Sequence, residues 1–296
     1  MANLELDKLK ISQLGFVGQD YLSPGQTQSL LNPTPAAVVV APGQAFYGFG
    51  SGSYTWTCPP GVTSVCVVCI GGGAGSASST YTTAPGGGGL GWKNNIAVSP
   101  GQTYLVQVGR GGDYLAADSP TSPGGGQSYF ISSGTVAGDG GTLGTGGSFT
   151  GDGGGTGGGA GSGAGGGAGG YTGAGGYGNG SAGTGGGAGG GGSYSSTYGY
   201  SSGGGTGPFG QGASGSGYSY VGGMGGSGGE NGRGGENPWF SYGSGQIDGG
   251  LYGGGAGQAG NSSTAGGYQL YRGGRGCVRI IWGTGRFFPS TGTGDM

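Results

Sequence analysis

Between Gly134 and Gly192 the chain carries glycine in runs, at 153–155, 157–159, 165–167, 185–187 and 189–192. Such a stretch has no side chains to bury, so apolar area cannot drive its folding. Each Gly also costs about 0.5–1 kcal/mol relative to Ala inside a helix or a strand. Two states remain open. One is a disordered linker, which the composition favours. The other is a bundle of polyglycine helices in the extended form with three residues per turn. That helix makes no internal hydrogen bonds, so its N–H and C=O groups must find partners on neighbours. Without Cβ atoms, parallel or antiparallel segments can approach closely enough to supply them. An ordering entropy of roughly 1–2 kcal/mol per residue would have to be met by dense interchain bonding and by strands that clamp the ends.

The remaining composition narrows the function. The 296 residues include 94 Gly and 13 Pro, but the glycines clump instead of recurring at every third position, so collagen is excluded. There is no His, hence no Ser-His-Asp or Cys-His constellation and no imidazole base. Nine Lys and Arg against eleven Asp and Glu give a net charge of −2, without the basic footprint of a nucleic-acid binder. The longest apolar stretches, 62–70 and 278–282, fall far short of the roughly 20 residues of a membrane helix. The N-terminus interleaves charges with leucines and has no apolar h-region, so synthesis in a cytoplasm without an export signal is expected.

Residues 1–52 read as an extended, segmented arm. It holds Leu4, Leu6, Leu9, Ile11, Leu14 and Phe16, the candidate attachment residues, followed by turn signals at Ser23-Pro-Gly25 and Asn32-Pro-Thr-Pro35. From Ser53 strands become legible. Segments 54–57 and 62–70 read as strand, turn, strand, and 62–70 is apolar on both faces, as in a doubly buried strand. Segments 91–98 and 102–108 flank Pro100-Gly101 and read as an antiparallel pair. Short 128–131 and apolar 276–282 complete the set, the last returning to pair with the early strands. The expected fold is therefore all-β and irregular, with essentially no α-helix. A β framework (53–135 and 268–285) encloses a polyglycine-II-type bundle with aromatic loops (136–267), and 286–296 form a tail.

Cys66 and Cys69 form a zinc half-signature, with Cys58 and Cys277 as further thiolates. On a strand, positions i and i+3 point to opposite faces, which favours buried small hydrophobes over a metal site. Gly-x-Gly-x-x-Gly matches abound but lack the strand and helix that a phosphate loop needs. Asp113, Asp139 and Asp152 lie in Gly-rich turns without the acidic density of calcium repeats. No catalytic, cofactor-binding or metal residue emerges, and no enzyme activity is expected. Aromatic residues carry the functional signal. Tyr, Ser, Gly and Asn are the residues of adaptable binding loops, and from Gly111 to Gly232 there is no Lys or Arg, which suits an uncharged target or a protein over nucleic acid. The candidate contacts are Tyr194, Tyr198 and Tyr200, Tyr218 and Tyr220, and Trp239, Phe240 and Tyr242. Arg272, Arg275, Arg279 and Arg286 read as packing residues.

The stretch Tyr54-Thr-Trp-Thr-Cys-Pro-Pro-Gly-Val-Thr-Ser-Val-Cys-Val-Val-Cys-Ile-Gly-Gly-Gly73 resembles the opening of glycine-rich domains in tailed-phage virion proteins. Segments 89–104 and 276–291 are similar to stretches of such proteins in marine cyanophages. The Gly-rich middle is similar in style to adhesins at the tips of T-even long tail fibres, where a polyglycine bundle presents loops to a host receptor. The resemblance covers roughly 53–291. It implies a virion protein, made in the host cytoplasm and carried on the particle, that binds a host surface glycan or outer-membrane protein. The long arm and the lack of a fibre shaft or coiled coil depart from that pattern. Partners are then other virion proteins and the chain itself, a trimer among the options, with no nucleic acid and no membrane insertion. A purely structural virion or filament subunit (a fibre segment or capsid decoration bridged by its arm and aromatics) is the alternative.

Overall fold

The computed structural model describes residues 40–76, 84–113, 123–159, 161, 163–195, 199–217, 222–232, 248–257, 271–290 and 293. The chain divides into two units, Met1–Val40 and Ala41–Met296. All the described strands belong to the second, and among the described residues there is no helix. The Leu-rich attachment candidates lie outside the described residues.

Two five-stranded antiparallel sheets form the framework. The first has the order β1 (Gly43–Tyr47), β12 (Cys277–Trp282), β3 (Ser64–Ile70), β4 (Leu90–Ala97), β9 (Gly153–Gly155). The second runs β2 (Gly52–Thr57), β5 (Thr103–Val108), β6 (Ser128–Phe130), β7 (Val136–Gly138), β8 (Phe149–Thr150). As its apolar residues on both faces require, β3 is buried on both, between the sheets and beneath the loops. Cys66, Val68 and Ile70 join Leu90, Cys277, Ile281, Tyr171 and Phe288 in one cluster. The opposite face meets the second sheet, where the Trp56 ring lies 5.8 Å from Trp282 and 5.9 Å from Phe130. The late strand β12 inserts between β1 and β3, with Val278 opposite Cys69. Thus β1, inside the segment read as arm, is part of the framework.

Pairing of 91–98 with 102–108 is corrected: β4 pairs with β3 and β9, whereas β5 pairs with β2 and β6. The cause is the turn. Gln102 N–H donates to Ser99 O across Pro100-Gly101, and Val62 N–H to Pro59 O across Pro60-Gly61. Gly61 and Gly101 have φ of 79° and 76°. Pro followed by a left-handed Gly is a type II turn, whose twist opposes that of a two-residue hairpin. The strands therefore splay into different sheets. The two corners lie side by side, joined by Cys58 N–H to Gln102 O and Gly101 N–H to Cys58 O.

At the ends of these strands both sheets run directly into glycine segments. Successive N–H groups of 71–76 donate to Gly89, Gly126, Gly274, Gly86, Pro123 and Tyr271, at 2.7–3.2 Å. Three neighbours are thus visited in rotation, with a repeat of three residues. Residues 165–170 do the same, donating to Ser201, Pro85, Gly176, Gly204, Gly88 and Gly173. The spacing leaves no room for side chains: a Cβ on Gly71, Gly72, Gly73, Gly87, Gly166 or Gly167 would overlap a carbonyl oxygen of another segment. Where room exists the sequence places alanine, and Ala74, Ala168, Ala188 and Ala256 are fully buried. Segments 71–76, 84–89, 109–113 and 123–127 belong to this bundle, although they fall inside the stretch read as framework.

Candidate functional site

A tight turn closed by Ala164 N–H to Gly161 O, 2.9 Å, forms part of the bundle surface. Two tyrosines stand against it, and a third packs on one of them. The Tyr177 ring covers Gly159 and Gly161, where a Cβ would lie 2.7 and 2.6 Å from ring carbons. The Tyr200 ring covers Gly163 so closely that a Cβ there would overlap it. Tyr194 faces Tyr200 across the two-stranded ribbon of β10 (Tyr194–Ser195) and β11 (Gly199–Tyr200), with ring centroids 4.9 Å apart and planes at 40°. Tyr177 is 48% and Tyr194 54% exposed, and Tyr200 is half-buried.

The ribbon is closed at its base by buried serines. Ser201 N–H donates to Ser193 O, and Ser193 N–H to Ser201 Oγ at 2.8 Å. Gly180 N–H donates to Gly192 O, tying the Tyr177 loop to the same base. Beside it Asn179 N–H donates to Tyr177 O, and Ser181 Oγ to Asn179 Oδ1. No Asp, Glu, Lys, Arg or His occurs between Asp152 and Glu230. The platform is consequently aromatic, polar and uncharged along its own segment.

Of the sequence-predicted contacts, Tyr194 and Tyr200 are brought together here. Tyr198, Tyr218, Tyr220, Trp239, Phe240 and Tyr242 lie outside the described residues. Tyr177 was one aromatic among many in the sequence, and only its seat on Gly159 and Gly161 marks it as part of this surface. Tyr171 belongs to the core. Its ring stacks on Phe288, centroids 5.9 Å apart, and its hydroxyl donates to Gly207 O while accepting from Gly210 N–H. Burial pushes its phenol well above the ordinary range.

A second aromatic group surrounds Phe46, which meets Phe49, Phe209 and Tyr252 at 5.7–5.9 Å. Phe49 is 82% exposed. Beneath Phe209 lies the fully buried Arg279, its guanidinium carbon 4.5 Å from the ring centroid. Arg279 donates to Gln44 Oε1, Pro208 O and Thr293 O. Arg286 donates to Gly43 O, and Arg275 to Phe49 O. Asp113 bridges Arg110 and Arg272 at 2.8 and 3.3 Å. The C-terminal arginines therefore engage the framework and the bundle.

The four cysteines are buried and free. Cys66 joins the core cluster on one face of β3, while Cys69 donates to Val136 O on the other. Burial raises the Cys66, Cys69 and Cys277 thiols above their ordinary value of 9.0. Asp152 accepts from Asn94 N–H and pairs with Lys93 Nζ at 3.2 Å. It supports the bulge where Asn94 and Asn95 oppose Cys66, and Asn94 Nδ2 in turn donates to Phe288 O. Asp139 is held by Gln127 and Ser148.

A family model described as a glycine-rich domain matches residues 49–283. No curated protein matches the chain.

Proposed function

On the premise that this chain belongs to the family of glycine-rich domains, we propose that it is a structural protein of a tailed-phage particle, acting as a tail-fibre adhesin. Its glycine segments form a polyglycine-II-type bundle, to which the three-residue hydrogen-bond rotation of 71–76 and 165–170 corresponds. The observation that carries the reading is the seating of Tyr177 on Gly159 and Gly161 and of Tyr200 on Gly163, with Tyr194 packed against Tyr200. Rings with few torsions, held on a floor fixed by backbone bonds, lose little entropy when a ligand covers them. The host cell surface is the target, and the part of the arm that precedes β1, residues 1–42, makes the attachment to the particle. The likeness of 54–73 and 276–291 to tailed-phage proteins supports the virion setting.

Adsorption of particles carrying Tyr194→Ala, Tyr200→Ala or Tyr177→Ala tests this. Adsorption should fall while particle assembly and the melting temperature hold. Normal adsorption by the triple variant would remove the receptor role. A purely structural virion or filament subunit is the second reading, favoured by Phe49, a large apolar ring 82% exposed beside Phe46. In that case the tyrosines and Phe49 become buried between subunits in the assembled particle, where solvent labelling of their rings would register the loss of exposure.

A further inference from the structure

We propose that the tyrosine platform takes an uncharged carbohydrate, an inference that rests on the adhesin reading and names its ligand class. Three features select it. The first is the rings themselves: Tyr194 and Tyr177 leave about half of their surface to solvent. A pyranose presents a face of C–H bonds whose partial positive charge suits the negative face of an aromatic ring. The second is the floor. Gly159 and Gly161 lie directly beneath Tyr177 and Gly163 beneath Tyr200, on which Tyr194 packs, so the rings cannot sink when a ligand presses on them.

The third is charge. Between Asp152 and Glu230 there is no Asp, Glu, Lys, Arg or His, and the groups around the rings are Ser and Asn. A sialylated, sulfated or phosphorylated glycan would meet no guanidinium or ammonium from this segment, whereas bidentate Arg is the usual partner of such groups. Protein partners are disfavoured on the same ground. Their contact centres combine aromatics with Arg and bury about 800 Å² per side, and this platform offers tyrosines without Arg. A neutral sugar needs only ring faces with hydroxyl and amide partners at their rim, as Ser181 and Asn179 provide.

The test is titration of the full chain with neutral oligosaccharides (glucose, galactose and mannose oligomers) and with sialylated and sulfated ones, followed by saturation-transfer NMR and calorimetry. Neutral oligomers should bind, with affinity unchanged when salt rises from about 0.05 to 0.5 M, since no ion pair is there to be screened. Tyr194→Ala and Tyr177→Ala should each weaken binding about tenfold, while Tyr54→Ala on β2 leaves it alone. Binding confined to the anionic oligomers, or a neutral-sugar affinity indifferent to both tyrosines, would overturn the proposal. So would adhesion to host cells or to glycan-free outer-membrane protein with no neutral oligosaccharide bound, an outcome that keeps the adhesin reading. Absence of any cell adhesion, with particles intact, removes that reading as well.

Discussion

Gly72 lies so close to Arg110 that a Cβ on the glycine would overlap the arginine's carbonyl oxygen. The Gly72 Cα that would carry it and the Arg110 oxygen both belong to the main chain, in segments that also exchange bonds with Gly126 and Gly141, so neither can move without breaking others. Gly72→Ala is therefore expected to destabilise the fold by about 3 kcal/mol, at the upper end of core overpacking. Gly185→Ala is the matched control. Nothing lies within 4 Å of its Cβ position and its φ is not in the left-handed region, so the same change should be neutral or stabilising by about 0.5 kcal/mol through the unfolded chain. Denaturant melts of the two variants check the pair, and equal effects would refute the packing described.

Hydrogen exchange addresses the same bundle from its donors. The amides of Gly166, Gly167, Ala168 and Gly169 donate to Pro85, Gly176, Gly204 and Gly88. Exchange in these four should require opening of several segments at once and occur near the global unfolding rate. Random-coil exchange rates there would show that the glycine segments do not set as a body.

How far the sequence discloses this fold depends on whether side chains take part. Apolar residues on both faces of 62–70, and the lone apolar run at 276–282, disclosed the central strands because burial leaves a pattern. The partners of 91–98 and 102–108 are hidden because a Pro-Gly turn looks like a hairpin unless its twist is weighed. Which glycine segment bonds to which could not be read at all, since Gly71 and Gly166 carry no side chain to record their neighbours. For the same reason Tyr171 and Tyr194 look alike in sequence. One is fully buried and the other half exposed, and the path of the backbone alone decides it. The site was legible as a residue class, and its seat on Gly159, Gly161 and Gly163 was not.

Buried thiols give the protein an alkaline limit. Burial holds the Cys66, Cys69 and Cys277 thiols above 9.0, and raises the Tyr252 phenol to about 12. A group whose folded pKa is raised holds its proton more tightly in the native state, so its contribution is complete below the unfolded value. It is lost as pH rises towards the folded value, at about 1.4 kcal/mol per pH unit for each group. Melting temperature should accordingly be level around pH 7–8 and fall above about pH 9. Thiol reagents at pH 8 should label none of the three until the chain unfolds. Asp152 works in the other direction. Its carboxyl is lowered chiefly by the Asn94 N–H, so its small, solvent-screened contribution fades only as pH falls through the acid range.

Arg279 ties three separated parts of the chain to β12. Its guanidinium donates to Gln44 on β1, to Pro208 O in the bundle and to Thr293 O near the C-terminus, and it lies over the Phe209 ring. A planar fork can serve these directions together, whereas an ammonium is a point donor on a flexible stem. Arg279→Lys should therefore cost about 2–3 kcal/mol despite keeping the charge. Gln44→Ala alone should cost about 1–2 kcal/mol, because a buried charged donor loses its side-chain acceptor. The two changes remove the same bond, so the double variant should fall short of their sum by about 1 kcal/mol. Strict additivity in denaturant melts would mean that the Arg279–Gln44 contact does not hold β1 to β12.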